Sequence, residues 1–128
     1  MPNEPMSVGK TDWIWPYSAL VGVVDGDTAD YELVRDIGFH GKTVFRQRLR
    51  LNRIDAPKAS VDLGKQAITW VTNNLSMRSL LIETIKPYKY GDEWMAEVTL
   101  PDGRNVSDEL VRVGLATYWD GKGPRPGG

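Results

Sequence analysis

The chain has no cysteine and a single histidine, His40. Without thiols there is no disulfide framework and no thiolate chemistry, and zinc spacing is equally absent. Neither charge sign is in excess, with 16 Lys and Arg against 17 Asp and Glu. A protein that grips long duplex nucleic acid is usually basic, so any nucleic-acid role here must rest on a local patch. No apolar run approaches the roughly 20 residues that cross a bilayer. The first residues, MPNEPMSVGKTDW, lack the charged and apolar regions of a secretory signal. The expectation is a cytoplasmic protein with no membrane partner, and a monomer. No Walker-type glycine loop and no serine-nucleophile motif occurs.

What is present is a strand-rich pattern in 128 residues, the length of one domain. Residues 1–12 are polar and proline-containing and read as a loosely ordered segment. The compact domain spans 13–119. In the tail, 120–128, glycine and proline dominate, which predicts flexibility. Strands are expected at about 18–25, 29–37 and 43–54. A helix follows over 62–76, where Leu63, Ala67, Ile68, Trp70, Val71 and Leu75 recur at helical spacing. Two further strands are expected at 79–86 and 93–100. The PDGR turn then leads into VSDELVRVGLA, a second helix with Ser107 as its expected N-cap. This order suits an α+β, mainly β fold: a closed five-stranded OB-type barrel packed against two or three helices.

Two stretches carry possible chemistry. In VVDGDT, Asp25 and Asp27 straddle Gly26. Asp-Gly is a strong hairpin signal, because glycine reaches positive φ without steric cost. These residues alone favour a plain turn, with half of a metal site as the alternative. In KTVFRQRLRLNRIDAPK, alternation puts Arg46, Arg48 and Arg50 on one strand face, and Phe45, Leu49 and Leu51 on the other, expected to be the core. With Lys42 and Arg53 this makes five positive charges before the first acid, Asp55. That acid precedes a proline that stops the strand, at the rim of a barrel. Trp13, Trp15 and Tyr17 are expected to cover one barrel end, and His40 to be a solvated turn residue.

VVDGDT, RLRLNRIDAP, KYG and LVRVGLA, in this order, resemble the staphylococcal-nuclease-like (thermonuclease) family over about residues 18–119. DIGFHGKTVFRQRLRL is similar to the phage and bacterial cytoplasmic versions. The resemblance implies the OB-type barrel and calcium-dependent cleavage of DNA and RNA phosphodiester bonds. It implies that Asp27 and Asp55 hold the metal, with Asp25 nearby and Ala56 offering its main-chain carbonyl. Calcium takes 6 to 8 hard oxygens, which two aspartates, a carbonyl, water and phosphate can supply. Arg50 matches the arginine that holds the phosphate, work suited to a planar fork. Lys89, Tyr90 and Tyr118 are the expected phosphate- or nucleotide-binding residues. Tyr90, Trp94, Tyr118 and Trp119 could stack bases, as OB barrels do with single strands.

Two positions depart from the family pattern, and both reverse charge. Lys58 stands where active members carry the glutamate that addresses the attacking water. Asp92 stands where KYGR has its second catalytic arginine. A protonated lysine is no base, and a positioned base is worth about 10²–10⁴ in rate. The expectation is a degenerate active site that binds single-stranded DNA or RNA, or a nucleotide phosphate, with catalysis lost or severely weakened. Two alternatives stand beside it. One is an active calcium-dependent nuclease in which Lys58 and Asp92 have exchanged roles, or in which Arg78, Lys89, Arg104 or Asp62 fills one. The other is a protein-interaction module for a protein partner, its groove closed by a Lys58–Asp92 ion pair.

Overall fold

A computed structural model describes residues 13–39 and 41–126. The expected loose N-terminal segment and His40 lie outside the described residues. The element order is β1 (Ile14–Asp25), β2 (Thr28–Gly38), β3 (Gly41–Leu51), β4 (Ile54–Asp55), α1 (Asp62–Leu75), β5 (Leu80–Pro87), β6 (Trp94–Thr99), α2 (Val106–Arg112) and β7 (Thr117–Tyr118). Strands β1-β2-β3-β6-β5 close into a barrel, with β3 and β6 parallel and the other pairs antiparallel. This is the mainly β, α+β barrel expected from the strand pattern. Strands β4 and β7 form a separate two-stranded sheet outside it. No helix among the described residues is long and apolar enough to cross a membrane.

Alternating side chains fill the barrel: Tyr31 and Leu33 from β2, Leu49 and Leu51 from β3, Ile82 from β5, and Ala96 and Val98 from β6, all nearly fully buried. Helix α1 closes one side of this core with Ala67, Val71 and Leu75, the inward stripe of its amphipathic spacing. Leu63, expected on that stripe, is 43% exposed. Phe45 is also misplaced by simple alternation: it has the parity of Leu49 but is 48% exposed. The first three strands are 11 or 12 residues long, whereas β6 has six, so the far half of β3 has no wall opposite it. Trp13, Trp15, Phe45 and Trp94 gather around the resulting hollow at that mouth, with Trp13 and Trp94 ring centroids 5.1 Å apart.

Helix α2 begins two residues earlier than its hydroxyl suggested. Asn105, not Ser107, is the N-cap, its side chain accepting from the Asp108 N–H at 3.0 Å. Ser107 is fully buried and donates instead to the Asn52 carbonyl at 2.9 Å. A serine two residues into a helix cannot cap it, but it can tie the helix to a neighbouring loop.

That loop turns the chain toward the site. Arg53 sits at φ 72°, in the left-handed region disfavoured for a residue with Cβ. Its guanidinium holds the bend by donating to Glu97 at 2.7 and 3.0 Å and to Asp108 at 2.8 Å. Asn52 and Asn105 also donate to Glu97. Burial opposes the Glu97 charge, yet these donors prevail and hold its carboxyl below the ordinary 4.5. A carboxylate held low adds stability that is present above its unfolded value and lost as pH falls through the folded one. The wild type therefore loses stability as pH drops below about 4.5. Glu97→Gln is expected to cost about 2 kcal/mol near neutrality, the worth of a charged acceptor, and to flatten that acid limb. Urea midpoints measured from pH 7 to pH 3 check both; parallel curves for variant and wild type would refute the assignment.

Candidate functional site

The Asp25-Gly26-Asp27 turn joins β1 to β2, and Asp55 arrives from β4 after the Arg53 bend. Between them lies Arg50, opposite Thr28 on the β2–β3 ladder. Its Nη1 is 3.1 Å from Asp27 Oδ2, and its Nη2 is 2.8 Å from Asp55 Oδ1. The three side chains converge, and all are buried, with Arg50 only 4% exposed. Asp27 accepts further hydrogen bonds from the Ala56 N–H (2.9 Å) and the Thr28 hydroxyl (2.9 Å). Burial pushes the Asp27 carboxyl above its ordinary value, although Arg50, Ala56 and Thr28 oppose the rise. Asp25 accepts from the Ala59 N–H at 3.2 Å. The turn and the loop after Asp55 are thus stitched together through both acids.

Gly26 serves this arrangement in a way that its hairpin signature does not convey. Its φ is not in the left-handed region. A Cβ there would lie 2.6 Å from the Ala67 Cβ and 3.2 Å from the Ala56 Cβ. The position needs glycine because α1 packs directly on the turn. Asp25-Gly26-Asp27 is at once a tight turn and one wall of the site.

A hollow of about 520 Å³ opens over Arg50, lined among others by Asp25, Arg48, Tyr88, Tyr90, Glu93, Trp119 and Arg125. The Arg50 guanidinium faces the rings of Tyr88 (4.8 Å) and Trp119 (5.8 Å). Its Nε is buried with no hydrogen-bond partner among the described residues. A second hollow, of about 410 Å³, lies on the other side of Tyr88 and Trp119 and is lined by Lys86, Lys89, Tyr90 and Lys122.

Of the residues singled out in the sequence, the structure brings Asp25, Asp27, Arg50 and Asp55 into one cluster, with Ala56 joined to it through its N–H. Tyr90 borders both hollows and Lys89 only the second, its ammonium over the Tyr90 ring at 5.0 Å. Tyr118 borders neither; its hydroxyl donates to Asp108 at 2.8 Å. Lys58 and Asp92 are exposed, line neither hollow, and make no ion pair with each other. The basic face of β3 is largely compensated from β2: Arg48 pairs with Asp30 at 2.8 Å, and Arg46 lies 3.8 Å from Glu32. Arg125 was not anticipated. It reaches Asp55 Oδ1 through Nε at 2.8 Å. Its only sequence signal was being one of two cations, with Lys122, in a glycine- and proline-rich tail.

Among the described residues, no three His, Cys, Asp or Glu side chains form a cluster able to hold a metal ion. Asp27 and Asp55 are the two carboxylates that face a common centre, through Arg50.

A closed five-stranded barrel carrying two rim aspartates around a buried arginine defines an OB-like domain with a hollow at its edge. The family model described as staphylococcal nuclease homologue matches residues 48–125, and the chain belongs to that family. It is similar to an uncharacterized endonuclease of Escherichia coli O157:H7, 29% identical over 112 residues, covering 83% of this chain and 67% of the relative. A second uncharacterized endonuclease, from Escherichia coli, matches to the same extent.

Proposed function

We propose that the hollow over Arg50 binds a phosphate of single-stranded DNA or RNA, or of a nucleotide, and that phosphodiester hydrolysis there is lost or severely weakened. The observation carrying this reading is the Arg50 guanidinium, buried between two aspartates with an unpartnered Nε. A buried donor without an acceptor is costly to maintain, and phosphate oxygen is the acceptor a guanidinium fork suits best. Tyr88, Trp119 and Tyr90 around the same hollow offer ring faces for a base.

Calcium is the cation that the family implies. The donor chemistry fits a hard ion, since Asp27 and Asp55 offer carboxylate oxygens and the Ala56 carbonyl follows in the chain. When bound, such an ion would add positive charge beside a phosphate oxygen. Arg50 would orient that phosphate, and the aromatic walls would limit access of water. The two positions that depart from the family pattern supply no base to the hollow: Lys58 is a cation exposed outside it, and Asp92 is outside it as well.

The test is trace-metal-controlled incubation with labelled single-stranded DNA and RNA, with and without calcium, while binding is followed by anisotropy. Saturable binding with the strand left intact is the expected result. Calcium-dependent cleavage abolished by Asp27→Ala would overturn the loss of catalysis, and absence of binding would overturn the whole reading. One observation favours a second reading, an active nuclease: Glu93 borders the Arg50 hollow. In that case Glu93, rather than an exchanged Lys58–Asp92 pair, addresses the water, and Glu93→Gln removes the cleavage.

A further inference from the structure

The path of the chain after α2 gives the tail a place in the site. Strand β7 pairs with β4, setting Thr117 opposite Asp55. Trp119, the first residue after β7, donates its backbone N–H to the Arg53 carbonyl at 2.8 Å and lays its ring over Arg50. Its indole N–H donates to the Lys122 carbonyl at 2.9 Å, and the Lys122 N–H donates to Asp120 at 2.9 Å. Gly121 and Gly123 take φ of 86° and 72°, left-handed values that only glycine adopts without strain. The turn they build reverses the chain and brings Arg125 back to Asp55.

Arg125 meets Asp55 on Oδ1, the oxygen that also accepts from Arg50. The two guanidinium groups therefore border one hollow and share one acceptor. They differ in setting: the Arg50 side chain is 5% exposed and fixed, whereas that of Arg125 is 40% exposed. Guanidinium carries five N–H donors, and Arg125 uses Nε on Asp55, leaving its terminal nitrogens for the hollow. Asp25, Asp27 and Asp55 outnumber Arg50 in the cluster, so the tail cation lowers the negative charge that an entering phosphate meets.

We infer that Arg125 is the second phosphate-binding arginine of this site, supplied by the C-terminal tail in the role left open at Asp92. This rests on the phosphate-binding reading above. On binding, the terminal N–H groups of Arg125 take phosphate oxygens from one side, while Arg50 holds the phosphate from beneath. No covalent step is involved.

The experiment measures binding of a labelled single-stranded oligonucleotide, and of a nucleoside 3′,5′-bisphosphate by competition, across a salt series. Relative to wild type, Arg125→Gln is expected to weaken binding about 10- to 100-fold and to reduce the slope of log K against log salt by about 0.7, the share of one phosphate contact on a single strand. Arg125→Lys should restore the slope but only part of the affinity, because a point charge replaces a fork. Thermal denaturation of the same variants should stay near wild type, as the side chain is 40% exposed. Wild-type binding with unchanged affinity and slope in Arg125→Gln would overturn this inference alone. Tighter binding in that variant would also overturn it, marking Arg125 as a plug. Failure of wild type to bind either probe would instead overturn the site reading beneath it.

Discussion

Arg50→Gln is expected to lower folding stability by about 3–5 kcal/mol at neutral pH, because it strands buried carboxylates. The pair geometry gives this prediction its size. Among the described residues Arg50 is the one cation paired with Asp27, which is 1% exposed. Asp55 keeps Arg125 after the substitution, so the main loss falls on Asp27. The glutamine amide can replace one hydrogen bond but no charge. Arg50→Lys keeps the charge and loses the fork, and should fall between wild type and Arg50→Gln. The pH dependence provides an internal check. Asp27 is an acid already held above its ordinary value by burial, and losing Arg50 raises it further. An acid with a raised folded value penalises the fold while ionised, and that penalty shrinks as pH falls toward it. The deficit of Arg50→Gln should therefore be smaller at pH 5 than at pH 8, when urea midpoints of the two proteins are compared at each pH. Equal stability at both, or a deficit that grows on acidification, would show that the Asp27–Arg50 contact is not what holds the cluster.

The barrel was legible in the sequence because its signals are local. Alternation in β2 and β3 and helical spacing in α1 each depend on neighbours a few residues away, and Tyr31, Leu33, Leu49 and Val71 lie where those periods place them. Local rules failed where long-range geometry decides. Phe45 obeys the alternation of β3, but that half of the strand extends past the short β6, so inward parity no longer means burial. The arginines of β3 read as a basic face, yet the acids that compensate them lie on β2, in a register the sequence does not print. At the candidate site, the acids of residues 25–27 and the rim acid Asp55 hinted at chemistry, but their roles came from family resemblance; no spacing rule says that Arg50 will stand between Asp27 and Asp55. Arg125 was invisible for a different reason. A segment rich in glycine and proline reads as unable to pack, whereas two of its glycines make the turn that returns the chain to Asp55.

Gly64→Ala shows how far packing can reverse a local rule, and it is the second large effect expected. In an open helix, exchanging glycine for alanine gains about 1 kcal/mol. Gly64 lies within α1, so propensity alone predicts a stabilised protein. A Cβ at this position would sit 1.7 Å from the Lys58 carbonyl oxygen and 2.5 Å from its carbon. These are backbone atoms, so no side-chain rotation relieves the clash, and either α1 or the loop of residues 57–59 must move. The loop is tied to the site by the Ala56 N–H on Asp27 and the Ala59 N–H on Asp25, whereas α1 is tied to the core by Ala67, Val71 and Leu75. Neither can yield without giving up contacts, and the expected cost is about 3 kcal/mol, the upper range for overpacking. Gly22→Ala is the matching control, because a Cβ there meets nothing within 4 Å. Denaturant midpoints of the two variants should separate widely, with only Gly64→Ala also weakening phosphate binding as the loop pulls away from Asp25 and Asp27. If Gly64→Ala were as stable as wild type, the close seat of α1 against the loop after Asp55 would be refuted, and with it the packing that brings the two acidic segments together.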